Sequence, residues 1–321
     1  MTVGLELFQM LVFPGLLFLV AFGMAGEFID RKLYARMQNR QGPPWFQPLA
    51  DLIKLFSKEE VIPAQADRWL FKLTPMVALA ATVTAFLYIP IWSHHALFSF
   101  EGDAIVVLYL LTIPTVCFFL GGWYSRSVFS MLGAVRSLMQ MFAYEIPLFL
   151  SILGPSMLAR SWSLSVVSAY YVAHPAMALV NVIGLVVSLV ALLGKLERVP
   201  FDIPEAETEI VAGSFTEYSG RLFGIFRLAI NVEMMVGASL IAAVFFPFGM
   251  GAAAGASGAA AAGFALYLVK VLAIVAVMTL MRTLFARFRI DQMISFCWLI
   301  AAPAAFVQLV VNLVVKELTH T

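Results

Sequence analysis

The chain has 321 residues, of which 62% are hydrophobic and only 12% charged, with a formal net charge of +1. A soluble domain carries roughly 25% charged residues, so a mean hydropathy of +0.94 assigns most of this chain to lipid. Near-neutral charge without a long basic run excludes a nucleic-acid surface, and two lone cysteines, Cys117 and Cys297, exclude a disulfide framework or an iron–sulfur or zinc site within the chain.

A spanning helix needs about 20 apolar residues, and eight segments approach that length: 5–28, 70–92, 103–123, 137–158, 176–194, 224–248, 262–285 and 293–315. No polar half separates them. The expected fold is therefore an all-α integral membrane protein, residues 1–321 forming one transmembrane domain of about eight helices. The first segment lacks a basic n-region and a cleavage signal, so it reads as a retained helix.

Between the first two spans, the connection 29–69 contains Pro48 to Phe56, with apolar residues at 49, 52, 53 and 56 on one helical face. That pattern predicts an interfacial amphipathic helix. Arg31, Lys32, Arg36, Arg40, Lys54, Lys58, Arg68 and Lys72 cluster in residues 29–72, and Arg126, Arg136, Lys195, Arg198, Arg221, Arg282, Arg287 and Arg289 fall in the alternate connections. Only Arg160 and Lys316 fall opposite, so the positive-inside bias predicts that both termini are external. The Gly- and Ala-rich stretch Gly251 to Gly263 reads as a loop or packing segment without chemistry.

Charges inside the spans are costly, about 2.5 to 3.5 kcal/mol for an acid such as Asp at a helix centre. Glu145, Glu233, Arg227 and Lys270 nevertheless fall there, and we read them as lining an ion path, with Pro147 loosening the helix beside Glu145. The connection 195–223 holds six acids, Glu197, Asp202, Glu205, Glu207, Glu209 and Glu217. Pro204 suits the first turn of a helix whose positive end would favour some of them. Glu205 and Glu209, one turn apart without a lysine to relieve them, repel, and the apolar Phe201, Ile203, Ile210, Val211 and Phe215 draw the loop toward the bilayer. Repulsion and desolvation both raise carboxyl proton affinity, which suits a cluster that relays protons.

His94, His95, His174 and His320 all fall in external segments, where they cannot ligate a haem held between helices. Nucleotide fingerprints and metal-ligand spacings are absent, so no cofactor is expected in this chain.

The run Arg198 to Gly213, continuing through Glu217-Tyr218-Ser219-Gly220, resembles the signature loop of the H-subunit family of complex I. Asp30-Arg31-Lys32, Arg36 to Gln38, Arg40 with Gly42-Pro43, Gln47 to Asp51 with Lys54, and Arg289 with Asp291-Gln292 extend the likeness over nearly the whole chain. The resemblance implies a non-catalytic subunit at the junction between a peripheral electron-transfer arm and antiporter-like membrane subunits, with acids leading inward from the cytoplasm. Asp30, Arg31, Lys32, Arg36, Arg40, Gln47, Asp51, Lys54, Arg198 and Arg221 would then dock the arm. Quinone-reducing members usually have Glu at the position of Asp30 and a longer stretch where this chain has Gly42 to Pro48. The abbreviated loop is most similar to the membrane-bound nickel–iron hydrogenase and formate hydrogenlyase branch. That branch implies a nickel–iron centre and iron–sulfur clusters in partner subunits. A quinone-chamber subunit, a ferredoxin-linked sulfur reductase subunit, a stand-alone secondary transporter and a purely structural anchor are the rival readings.

Overall fold

The structure is a computed structural model that describes residues 2–91, 93, 96–249 and 257–318, and among them every regular element is a helix. Helix α1 (Thr2–Leu11) stops at Phe13-Pro14-Gly15, and α2 (Leu16–Met37) follows. The first predicted span is thus broken at its start and continues to Met37, so Asp30, Arg31, Lys32 and Arg36 lie on a helix and not in the expected 29–69 loop. The amphipathic segment forms α3 (Gln47–Ser57), with Pro48 in its first turn and Leu49, Ile53 and Phe56 exposed along one side.

Asp67 opens α4 (Arg68–Leu87) by accepting hydrogen bonds from the backbone N–H groups of Trp69 and Leu70. Helices α5 (Asp103–Tyr124) and α6 (Val128–Ala159) follow. Then come three short helices, α7 (Leu164–Ala173), α8 (Pro175–Val180) and α9 (Val182–Lys195). The acidic connection contains the four-residue α10 (Glu207–Ile210) and a single 3-10 turn at Gly213–Phe215, so Pro204 does not start a helix. The chain ends with α11 (Gly220–Phe245), α12 (Ser257–Leu284), α13 (Ile290–Phe296) and α14 (Ala302–Leu318), the last two joined by one wider turn.

Among the described residues, seven helical stretches are long and apolar enough to cross a membrane. The fifth predicted span, 176–194, is instead the pair α8 and α9, broken at Asn181. The break frees backbone groups that cannot stay unpaired in lipid. Gln308 of α14 satisfies two of them, donating to the Val180 carbonyl at 2.8 Å and accepting from Gly184 N–H at 3.3 Å, while Asn312 ties to Asn181 at 2.9 Å.

Helix α11 is the axis of the bundle, with 94% of its most apolar stretch buried, and α2, α3, α4 and α12 pack around it. A helix apolar on every side belongs at the centre of a membrane bundle, and small residues let neighbours approach. A Cβ on Gly237 would collide with Leu192 of α9. Gly213, at φ +51, keeps the acidic connection folded on itself, since a Cβ there would collide with the Pro204 carbonyl. Residues 251–256 of the Gly- and Ala-rich stretch, and His94, His95 and His320, lie outside the described residues.

Candidate functional site

Two charged clusters lie at and below the end of the bundle that carries α3 and the acidic connection. The outer one is built on α2. Asp30 is 3% exposed and accepts from Arg198, from Arg282 at 3.0 Å and from Thr279 at 2.7 Å. One turn earlier, Glu27 pairs with Arg31 at 2.6 Å, accepts from Asn231 at 2.5 Å and lies 3.8 Å from Arg227. Arg31 also reaches Asp51 of α3 at 2.9 Å. Although partial burial pulls the other way, hydrogen bonds from Arg31 and Gln47 hold the Asp51 carboxyl below the usual carboxylate range. These pairs pin α3, α2, α11, α12 and the acidic connection together, and removing one member would strand a buried charge.

They surround a cavity of about 160 Å³ in which five carboxyls, Glu27, Asp30, Glu197, Asp202 and Glu205, meet four guanidiniums, Arg31, Arg198, Arg227 and Arg282. The acids outnumber the guanidiniums by one, and Glu197 is a carboxyl whose surroundings favour its protonated form. Burial pushes Glu197 up to about 8, with Glu205, Glu233 and Asp202 adding repulsion and a Ser137 hydrogen bond opposing. Burial and repulsion therefore both favour its protonated form.

The inner cluster lies below Glu197. Lys195 and Glu233 form an ion pair at 3.0 Å with side chains 1% and 0% exposed, and Lys195 also donates to the Leu111 carbonyl. The ring of Tyr144 lies 5.8 Å from the Lys195 ammonium, and its hydroxyl is 2.9 Å from Thr115. Tyr144 is within electrostatic reach of Glu145, Glu197 and Glu233 together. Gln140 donates to the Gly194 carbonyl at 2.7 Å, and its own oxygen, like one oxygen each of Glu197 and Glu233, has no protein hydrogen-bond donor. Such acceptors suit bridging water, and half-buried Glu145 follows Tyr144 directly in α6.

Several predicted residues lie elsewhere. Lys270 is not in the cluster: it donates to the carbonyls of Phe246 and Phe248 at the far end of α11, about 20 Å along the helix from Glu233. Glu209 points outward to Arg136 at 2.8 Å and Arg287 at 3.6 Å, and these pairs hold its carboxyl below the usual range. Glu217 is half-buried and lines neither this cavity nor the one between α2, α3 and α11, and the side chain of Glu207 lies outside the described residues. Of the residues expected to dock a partner, Asp30 and Arg198 are paired with each other, and Arg31 and Gln47 both donate to Asp51. Lys32 reaches the Pro43 carbonyl, whereas Arg36, Arg40, Lys54 and Arg221 are exposed, Arg221 within 3.4 Å of Glu60. Lys195, counted with the loop cations, is buried, and Arg136 and Arg282 stand on helices.

Glu27, Tyr144, Lys195 and Thr279 were not singled out from sequence. Glu27 carried a usable signal, an acid near the end of an apolar span, and Lys195 directly followed another span. Tyr144 and Thr279 carried none, since neither hydroxyl is unusual in a membrane helix.

Fold and site together define a multi-pass helical membrane protein with a chain of buried ionisable groups entering from one end. Residues 9–313 match the family described as NADH dehydrogenase. The chain is 35% identical to the H subunit of the NADH-quinone oxidoreductase of Syntrophotalea carbinolica, covering 88% of each, and 34% identical to that of Bacillus cytotoxicus, covering 96% and 95%. It belongs to this H-subunit family of complex I-like membrane proteins. Its fold is shared by a chain of the membrane-bound sulfane sulfur reductase, an archaeal respiratory membrane complex, at TM-score 0.84 and 24% identity over 96% of this chain and 99% of that one.

Proposed function

We propose that this chain is the membrane anchor and ion-translocation coupling subunit of a multisubunit redox complex, and that it carries no redox centre itself. The observation that carries the reading is the fully buried Lys195–Glu233 pair beside Tyr144, which is within electrostatic reach of Glu145 and Glu197 as well. A change of charge or shape in a docked electron-transfer arm shifts the balance of the five-acid cavity, and a proton leaves or enters at Glu197. Its passage past Tyr144 alters the partner of Lys195, and Glu145 hands the charge onward to antiporter-like neighbours. In this orientation the acidic end faces the cytoplasm and both termini are external.

The abbreviated Gly42 to Pro48 loop and Asp30 support the nickel–iron hydrogenase branch, in which the nickel–iron centre and iron–sulfur clusters belong to partner subunits. One observation favours a second reading as a quinone-chamber subunit. A cavity of about 250 Å³ between α2, α3 and α11 has apolar walls at Met24, Leu52, Leu55, Phe223 and Leu228 and charged rims at Glu27, Asp51 and Arg227. Purification through a tag on this chain, with mass spectrometry of the co-purifying proteins and metal analysis, separates the branches. Nickel with a hydrogenase pair supports the first, and turnover that needs quinone and responds to quinone-site inhibitors replaces it with the second. A chain that purifies alone and transports ions would overturn both.

A further inference from the structure

The acidic connection meets α6 and the α12–α13 junction at a surface pocket of about 360 Å³, walled by Arg136, Arg287 and Arg289 around Glu209. Glu209 is shared between two of these guanidiniums, at 2.8 and 3.6 Å, and among the described residues Arg289 forms no ion pair within 4 Å. Among the described residues, Glu209 and Asp291 are the acids lining this pocket, and the three arginines outnumber them. Three guanidiniums can hold further carboxylate in bidentate hydrogen bonds.

What lies beside the pocket identifies the kind of partner. Helix α6 has 32 residues, about 48 Å of helix. Even tilted by about 40° it projects roughly 37 Å, more than the ~30 Å hydrocarbon core. The Arg136–Glu209 pair, with Glu209 52% exposed, marks water or headgroup level on α6. Val128, Phe129 and Leu132 come one to two turns nearer the helix start, on the aqueous side of that level, and they are 72%, 46% and 48% exposed. Leu284 and Phe285 at the end of α12 are also exposed, at 70% and 50%. Lipid tails do not reach such a position, and exposed apolar side chains grouped beside a charged pocket mark a protein interface.

We propose that the start of α6 and this arginine pocket together form the docking site for an acidic segment of a water-soluble subunit, whose apolar residues cover Phe129 and Leu132 while its carboxylates engage Arg287 and Arg289. This rests on the reading of the chain as the anchor of a peripheral arm, and it moves the contact away from Asp30 and Arg198, which are already paired internally. Glu209 is the internal anion that occupies the pocket and fixes the acidic connection against it.

The test uses the whole complex, purified through a tag on this chain. A photo-reactive phenylalanine derivative in place of Phe129 is expected to cross-link to a soluble subunit within a segment rich in Asp and Glu. Arg287→Glu with Arg289→Glu is expected to weaken retention of that subunit about tenfold or more, with wild-type behaviour regained by the lysine pair at low salt. Cross-links only to phospholipid, to a membrane subunit or to a second copy of this chain would overturn the proposal, as would unchanged retention in the charge-reversed variant. Soluble subunits that co-purify but fail these tests leave the anchor reading standing and remove only this site. Failure of any soluble subunit to co-purify removes both.

Discussion

Replacing Glu233 by Gln removes one charge from a fully buried pair while nearly preserving volume. At 3.0 Å, two unit charges attract by about 5 kcal/mol at an effective dielectric of about 20. Lys195 would be left 1% exposed, with the Leu111 carbonyl but no counter-charge. Breaking a buried pair from one side costs about 3 to 5 kcal/mol, so Glu233→Gln should lower the melting temperature of the complex in detergent and abolish ion uptake into vesicles. Electron transfer measured with a soluble donor should persist. Adding Lys195→Met restores an uncharged interior, and replacing buried pairs by apolar residues is often neutral or stabilising by about 1 to 4 kcal/mol. The double variant should therefore regain stability without regaining uptake. The sharp comparison is between those two readouts: if Lys195→Met with Glu233→Gln pumps at the wild-type rate, the buried pair is structural and the path does not pass through it.

Glu197 gives a pH signature. Its carboxyl ordinarily titrates near 4.5 and is pushed up to about 8, so between those values the folded state binds more protons than the unfolded one. Stability then falls as pH rises across that window, by up to about 1.4 kcal/mol per pH unit for one group. Melting of the Glu197→Gln complex should vary less from about pH 5 to about pH 8, and an unchanged slope would show that Glu197 does not hold the proton. Asp30→Asn leaves Arg198 and Arg282 facing each other without their shared carboxylate. Thermal unfolding should show a loss of about 3 to 5 kcal/mol, and full stability would mean that the arginines find other partners. Lys270→Met should leave vesicle ion uptake intact while lowering stability by about 1 to 3 kcal/mol through lost hydrogen bonds to Phe246 and Phe248. Loss of uptake with stability unchanged would return Lys270 to the path.

The class of this protein was legible in its sequence because hydropathy is a local property. A run of about 20 apolar residues partitions into lipid whatever surrounds it, and the amphipathic pattern from Pro48 to Phe56 needed only its own periodicity to mark α3. Glu145 and Glu233 stood out for the same reason, since each charge opposes the solvent that its neighbours prefer, whereas Glu197 was one of six acids crowded into a connection.

Pairing was decided by the tertiary structure alone. Asp30 meets Arg198, Thr279 and Arg282 across separations of 168, 249 and 252 residues, and Glu27 meets Asn231 across 204. No local pattern encodes contacts of that length. The break at Asn181 was likewise hidden, because an apolar segment reads as one span whether or not its backbone is continuous, and α14 supplies the amides that make the interruption tolerable. Lys270 shows the reverse case. Its cost in an apolar helix was plain from the sequence, but only the fold placed it against the carbonyls ending α11, where the free ends of a helix satisfy an ammonium without any acid.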